Sequence, residues 1–308
     1  MKKTLINILC AFIPVKKYRK KARIYLINHL ITFSTKQYIL NIDYFLKTYF
    51  QQNKITASGN LREFQLATLK ILKEVDRVCK EANITYWIDY GTLLGAIRNG
   101  GFIPWDDDID ISMMREDYKT FKEVFQKHCK NGYYAEFITT KGKCHFLKIK
   151  HHDVPSISLD IFPYDTLPAK LSLDENIRFS HSLDKLSRYL KKKNLVSDKD
   201  EYTDVFEKYQ NEMLIKHIQP NNGKSVFIGS DYRQGTPFLV FDYESMFPLT
   251  TVEFEGEKFP APCDWDKHLT FLYRDYMVYP QTLDVHTNIA SLSLADILSI
   301  KDFINKKP

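Results

Sequence analysis

The chain has 308 residues, 44% hydrophobic and 27% charged, a balance that excludes a disordered chain and allows one large domain or two modest ones. Its net charge of +6 is unevenly placed: residues 1–42 carry nine Lys or Arg and no acid, which leaves 35 basic against 38 acidic side chains in the rest. The body of the protein is therefore not a nucleic-acid platform, and nucleic acid is not an expected partner. The five cysteines, Cys10, Cys79, Cys129, Cys144 and Cys263, form no C-x-x-C pair, which argues against a disulfide framework or zinc cluster and for a reducing compartment.

At the N-terminus the apolar run Leu5 to Ile13 lies between Lys2-Lys3 and the basic group Lys16, Lys17, Arg19, Lys20, Lys21 and Arg23. That run is too short to span a bilayer, and no small-x-small cleavage site follows it. Residues 1–30 are expected to lie on an anionic membrane surface, each basic side chain contributing roughly 1 kcal/mol there; a solvated helix with a charged face is the plainer alternative. The expected layout is a basic, partly amphipathic extension over 1–59 and a catalytic domain over 60–308, cytoplasmic and peripheral on the inner face of the cell membrane. Residues 51–60 read as a linker.

Asn60 and Glu63 have capping-box spacing for a helix over about 61–82, whose stripe of Leu61, Phe64, Leu69, Leu72, Val75 and Cys79 reads as core. Tyr86 to Ile88 reads as a short strand, Thr92 to Arg98 as a short helix, and 99–104 as a glycine-bearing loop. Asp108 to Met113 alternates polar and apolar residues, as a half-buried strand does. A helix over about Glu116 to Cys129 follows, then strands near 133–139, 144–150 and 156–162. Residues 170–217 look mostly helical, 251–254 strand-like and 264–276 helical. The class is α/β (α+β), a mixed sheet flanked by helices.

The chemistry concentrates in Trp105-Asp106-Asp107-Asp108-Ile109-Asp110. On a strand, Asp108 and Asp110 point to one face, about 6–7 Å apart. Crowded carboxylates raise each other's pKa unless a cation compensates, and Mg2+ or Mn2+ prefers such oxygen ligands and bridges phosphates. Asp160 sits within the apolar run Ser158 to Phe162, where a lone buried charge is costly and a shared cation would offset the cost. Upstream, Asp89-Tyr90-Gly91-Thr92-Leu93-Leu94-Gly95 joins strand to helix. Its small residues allow backbone N–H groups to approach a phosphate at the helix N-terminus. Phosphoryl transfer needs mostly positioning and charge neutralisation, so no covalent nucleophile is required. Lys148, alternating with Leu147 and Ile149, can face donor phosphates. His145, His151 and His152 lack the H-x-x-x-H spacing of a zinc helix and read as structural or surface residues. Trp87 and Trp105 read as packing residues, and for Tyr273, Asp275 and Tyr276 packing competes with substrate contact.

The stretch Tyr86 to Arg98 followed by Gly101 to Asp110 resembles the LicD family of bacterial phosphocholine transferases, related to the animal fukutin and fukutin-related proteins. Phe254 to Pro262, Leu272 to Met277 and Leu159 to Asp165 resemble it too, so the likeness covers roughly 61–290. The resemblance implies a nucleotidyltransferase-like fold in which Asp108, Asp110 and Asp160 hold Mg2+ (or Mn2+) and Asp106 supports them. Gly91 and Thr92 match its phosphate-binding turn. It further implies a CDP-linked donor, most directly CDP-choline, and a glycan acceptor, lipid-linked in some settings, such as lipopolysaccharide, capsule or teichoic acid. The Lys-Arg pair common near the family's C-terminus is replaced here by the stretch Pro280 to His286, so Arg98, Lys148 and Arg274 are candidates to supply its cation. Alternatives are another CDP-linked donor (ribitol, glycerol or ethanolamine), a nucleotidyltransferase that activates a small molecule, and a non-catalytic glycan- or membrane-binding scaffold.

Overall fold

A computed structural model describes residues 19, 21–22, 56–139, 145–194, 218, 220–229, 237–279 and 292–306. Almost all of the expected membrane-facing segment 1–30, the stretch 195–217 and the departure at 280–286 lie outside the described residues. Among the described residues, no helix is long and apolar enough to cross a membrane.

Helix α1 (Asn60–Ala82) buries Phe64, Leu69, Leu72, Val75 and Cys79, the stripe read from the sequence, and ends at Asn83 in the left-handed conformation. Its N-cap is Gly59, and no side chain caps it; Asn60 is already helical, so the expected capping box does not form. The chain continues through β1 (Trp87–Ile88), α2 (Tyr90–Asn99), β2 (Asp110–Met114), α3 (Arg115–His128), β3 (Tyr133–Thr139), β4 (His145–His151) and β5 (Ser158–Leu167). After α4 (Leu173–Lys192) come β6 (Ser225–Ile228), β7 (Val240–Asp242), the single turn α5 (Tyr243–Met246), the hairpin β8 (Thr250–Phe254) and β9 (Glu257–Ala261), α6 (Trp265–Tyr273) and α7 (Leu294–Asn305).

The main sheet runs β1-β2-β5-β4-β3, with β6 pairing with the far end of β5 and with β7. Among the described residues, only β2 and β5 run parallel and the other pairs are antiparallel, so the sheet is mixed. Paired strand β2 starts at Asp110 rather than Asp108, since its register with β5 begins at Asp110 opposite Asp160. The main core joins α1, Phe121 and Phe125 of α3, Ile149 of β4 and Ile161 of β5, with Phe254 and Phe259 of the hairpin packed in beside them. A second cluster seats Phe179, Leu183 and Leu186 of α4 on Leu167 and Phe227. On β5, Asp165 forms a buried, two-pronged ion pair with Arg115, with Nε and Nη2 donating at 2.8 and 2.9 Å. Cys79, Cys129 and Cys263 are free thiols.

Candidate active site

Strand register assembles the centre of the site. Parallel pairing of β2 with β5 sets Asp110 opposite Asp160, and antiparallel pairing of β4 with β5 sets Lys148 opposite Asp160. Three neighbouring strands, each spaced by roughly 5 Å, therefore place carboxylate, carboxylate and ammonium in one row across a single sheet face. The Lys148 Nζ donates to both Asp160 oxygens at 2.8 and 3.0 Å and to the Ser158 hydroxyl at 3.2 Å. Below this row, the Asp160 amide donates to the Ile109 carbonyl at 2.9 Å.

The acidic run keeps the two-residue alternation although the ladder begins only at Asp110. Asp106, Asp108 and Asp110 are half-buried, while Asp107 and Ile109 turn inward and are buried. The three half-buried acids and Asp160 act on one another. Burial, then the charge and hydrogen bond of Asp108, then Asp107, push the Asp106 pKa up to about 8. Asp110 is held well above the ordinary carboxylate range by burial and by Asp108, Asp160 and Asp106. Burial also raises Asp160, against the pull of Lys148. Among the described residues, this half-buried group of acids is compensated only in part, by Lys148 and at longer range by Lys150.

Distant segments hold this run in place. Buried Gln65 of α1 donates to the carbonyls of Ile103 and Asp106 at 3.3 and 2.8 Å. The tip of the β8–β9 hairpin, with Glu255 and Gly256 both at positive φ as a two-residue turn of this hand requires, reaches the glycine loop. There Glu255 accepts two hydrogen bonds from Arg62, at 2.9 and 2.6 Å, and one from the Phe102 amide at 3.1 Å. Its own amide donates to the Gly100 carbonyl at 3.1 Å. Thus the block around Phe254 to Pro262, remote in sequence, clamps the loop that leads into Trp105. Gly95 is needed for the same fit: a Cβ there would lie 2.5 Å from the Gly101 carbonyl oxygen.

The turn into α2 centres on Asp89, a residue singled out from the sequence only as part of the strand–helix junction. Its carboxylate is fully buried and accepts five hydrogen bonds. Oδ1 takes Tyr90 N–H at 2.9 Å and His268 Nε2 at 2.7 Å; Oδ2 takes Trp87 Nε1, Ser112 Oγ and Tyr164 OH at 3.1, 2.8 and 3.0 Å. Burial alone would raise Asp89, but His268, then Ser112 and the Tyr90 amide, outweigh it and hold the carboxylate below its ordinary value. Sequence reading missed His268, which carries no spacing signal; an acid just before a helix is a recognisable N-cap, so Asp89 could have been found. The hub reaches the acids through backbone: the Asp89 amide donates to the Asp110 carbonyl at 3.0 Å. Tyr90, next to it, takes φ of 45°, a strained value for a non-glycine residue and one that clusters at functional sites.

The residues expected at the phosphate-binding turn lie beside the acids. Gly91 faces Asp106 so closely that a Cβ would lie 3.0 Å from Oδ2. Buried Thr92 accepts the Asp110 amide on its hydroxyl at 2.8 Å, which orders the start of β2. Arg98, at the end of α2, donates to the Tyr276 carbonyl at 3.2 Å and stacks on Tyr279 at 4.4 Å; Trp105 meets the same ring at 5.7 Å. Tyr273, at the end of α6, is raised by burial and then by the charges of Asp110, Asp89, Asp106 and Asp108, so its hydroxyl belongs to this neighbourhood. Arg274, the third cation candidate, is exposed. His152 is exposed and stacks on Tyr134 at 4.5 Å, whereas His151 is buried in a separate cleft.

Among the described residues, no three His, Cys, Asp or Glu side chains converge tightly enough to grip a metal ion as they stand. The chemistry of the donor set nevertheless fits a hard divalent cation: all-oxygen, half-buried and mutually repelling, with Asp110 and Asp160 raised by burial and then by their acidic neighbours.

A family model described as LicD/FKTN/FKRP, nucleotidyltransferase domain, matches residues 83–184, the span from before β1 into α4. Lipopolysaccharide cholinephosphotransferase LicD of Haemophilus influenzae is 30% identical over 249 residues, covering 73% of this chain and 94% of that protein. Uncharacterized protein RP689 of Rickettsia prowazekii is 30% identical over 128 residues, 40% of this chain and 46% of that protein. Ribitol 5-phosphate transferase FKRP of Homo sapiens is 28% identical over 104 residues, 31% of this chain and 21% of that protein.

Proposed function

Since this chain belongs to the LicD family and is a phosphotransferase acting on glycans, we propose that it moves phosphocholine from CDP-choline to a sugar hydroxyl of a cell-surface glycan. The observation that carries this reading is the register that lines up Asp110, Asp160 and Lys148 beside the half-buried acids Asp106 and Asp108. The choline donor follows the relative whose length is almost fully matched; the FKRP match keeps CDP-ribitol as the second reading.

In this reading Asp108, Asp110 and Asp160 hold Mg2+ (or Mn2+), with Asp106 in support. The cation, when bound, neutralises donor phosphate charge and lowers the cost of keeping these carboxylates ionised. Lys148 keeps Asp160 ionised and directed along the sheet face, and its ammonium adds positive charge where phosphate oxygens arrive. The first turn of α2, at Gly91, presents backbone N–H groups to the same phosphates. Arg98, held by Tyr276 and Tyr279, supplies a further cation at the rim. The acceptor hydroxyl oxygen attacks the choline-bearing phosphorus, the bond to the CMP phosphate breaks, and CMP leaves with the electron pair. The hydroxyl proton passes to one of the neighbouring carboxylates. The expected inner-face membrane position of residues 1–30 would bring lipid-linked acceptors within reach.

Incubation of the purified protein with Mg2+, a glycan acceptor and each of CDP-choline, CDP-ribitol, CDP-glycerol and CDP-ethanolamine tests the donor. Formation of choline phosphodiester with release of CMP supports the reading. Turnover of CDP-ribitol alone selects the second reading, and pyrophosphate release from CTP without glycan modification contradicts both.

A further inference from the structure

Away from the carboxylates, a cleft of about 570 Å³ opens between α1, the turn before β3, the end of β4 and the end of α7. Its lining includes Lys70, Lys73, Arg77, Lys130 and Lys306 against Glu74 and Asp153, five cations to two acids, a net of +3. The acids are engaged, and so are two of the cations through acids outside the cleft: Lys73 pairs with Glu257 and Arg77 with Glu81. Glu74 accepts both prongs of Arg77 at 2.6 and 3.0 Å and the Lys130 amide at 2.7 Å, and Asp153 accepts Lys306 Nζ at 2.7 Å. Among the described residues, no carboxylate pairs with the exposed Lys130 ammonium. Lys70 is fixed at the back of the cleft, donating to the carbonyls of Phe303 and Lys306 at 2.7 and 2.6 Å. Burial, then the like charges of Lys130 and Lys306, lower its pKa, so the cluster is short of negative charge in the same way that the acidic site is short of positive charge.

The floor is rigid. His151 meets Tyr133 and Phe303 at 4.6 and 4.7 Å, and its Nδ1 accepts the Asp153 amide at 3.1 Å. The volume falls in the range of small-molecule sites rather than of a single ion, and the rim offers donors almost exclusively. We infer that this cleft is a second binding site, for a phosphorylated sugar whose phosphate sits among Lys70, Lys130 and Lys306 and whose hydroxyls meet Asn131 and the backbone at Gly132. His151 and Lys148 are three residues apart on β4, an odd step that turns them to opposite faces of the sheet about 10 Å apart along the strand, so the cleft does not share the acidic site's residues. A sugar phosphate free in solution and one carried on a glycan present the same group here. The inference does not depend on the identity of the donor.

Isothermal titration of the full chain with a hexose 6-phosphate, the unphosphorylated hexose, inorganic phosphate and a phosphorylated oligosaccharide tests it. The hexose phosphate should bind at least tenfold tighter than either the hexose or phosphate alone. Tighter binding of the oligosaccharide would assign the site to glycan, and weaker binding would assign it to the free sugar phosphate. Lys130→Glu, on an exposed side chain, and the double variant with Lys306→Glu should each weaken binding at least tenfold with melting unchanged. Asp110→Asn should leave it intact. Loss of binding in Asp110→Asn with none in Lys130→Glu would place the ligand among the catalytic acids and overturn the inference. So would binding to anionic lipid vesicles but to no soluble sugar phosphate.

Discussion

One substitution, Asp to Asn, should have opposite effects on stability at two acids of this protein, Asp89 and Asp106. At Asp89 the carboxylate accepts five hydrogen bonds inside the protein, three on Oδ2 and two on Oδ1. An asparagine retains most if its oxygen takes the place of Oδ2, keeping Trp87, Ser112 and Tyr164. Its NH2 then faces the Tyr90 amide and His268. The histidine can adapt by moving its proton to Nδ1, which is buried and has no hydrogen-bond partner among the described residues. Tyr90 N–H cannot adapt, and the helix loses its N-cap. The orphaned Tyr90 N–H, which is the lost cap itself, costs about 1–3 kcal/mol. Weakening three charge-assisted bonds to neutral ones adds about 1–2 kcal/mol. Asp89→Asn should therefore destabilise by about 2–5 kcal/mol, a large share of a typical domain's 5–15 kcal/mol. At Asp106 the same change removes an acid that burial and its neighbours keep from ionising at its ordinary pKa, so metal-free protein should become more stable. Denaturant titration at pH 7.5 in EDTA reads both as shifts of midpoint at constant slope. Destabilisation below about 1 kcal/mol at Asp89, or clear destabilisation at Asp106, would refute this reasoning.

Three further outcomes follow from the same structure. Asp106, Asp110 and Asp160 have folded-state pKa values above their unfolded ones, so their protons bind the folded state more tightly. Metal-free protein should lose stability as pH rises from about 4 towards 8, and Mg2+ should restore it with proton release, visible by calorimetry in two buffers of different ionisation enthalpy; a flat profile speaks against the crowded acids. Glu255 is shifted the other way, since Arg62 and the Phe102 amide outweigh burial and lower it. Its contribution is present above about pH 4 and fades below, so Glu255→Gln should cost about 2 kcal/mol at pH 7 and progressively less in acid, measured by thermal melts. Gly95→Ala forces a Cβ to 2.5 Å from the Gly101 carbonyl oxygen, and should destabilise by about 1–3 kcal/mol with loss of activity as the acidic run shifts; an unchanged melting temperature would show that the loop yields freely.

Periodicity was enough to place the elements from α1 to β4 within a residue or two, but β5 runs on to Leu167, and β6, β7, β9 and α7 gave no signal that was read. The stripe from Phe64 to Cys79 and the alternation from Asp106 to Asp110 report burial directly, because each residue type is paid or penalised where it stands. Two expectations failed for local reasons. Asn60 and Glu63 have capping-box spacing, but the chain enters the helix one residue earlier, through Gly59 at positive φ. Asp108 continues the strand's alternation but lies ahead of the strand, whose register with β5 starts at Asp110 opposite Asp160. The acids Asp110 and Asp160 were readable as charges set in apolar runs. Their pairing with Lys148, the five-donor hub at Asp89 and the Glu255 clamp on the glycine loop depend on register between segments up to 193 residues apart, which no local pattern encodes. Helix α6 brought His268 to Asp89 for the same reason.

The central claim is that Asp110 and its neighbouring acids carry the transfer. It is tested most directly by following phosphodiester formation on a glycan acceptor, with the active CDP-linked donor and Mg2+, for wild type and Asp110→Asn proteins of matched fold by circular dichroism. The variant should lose about a hundredfold or more of kcat, the scale of losing a principal electrostatic contact in a transition state. Retention of activity within a few-fold would contradict the account.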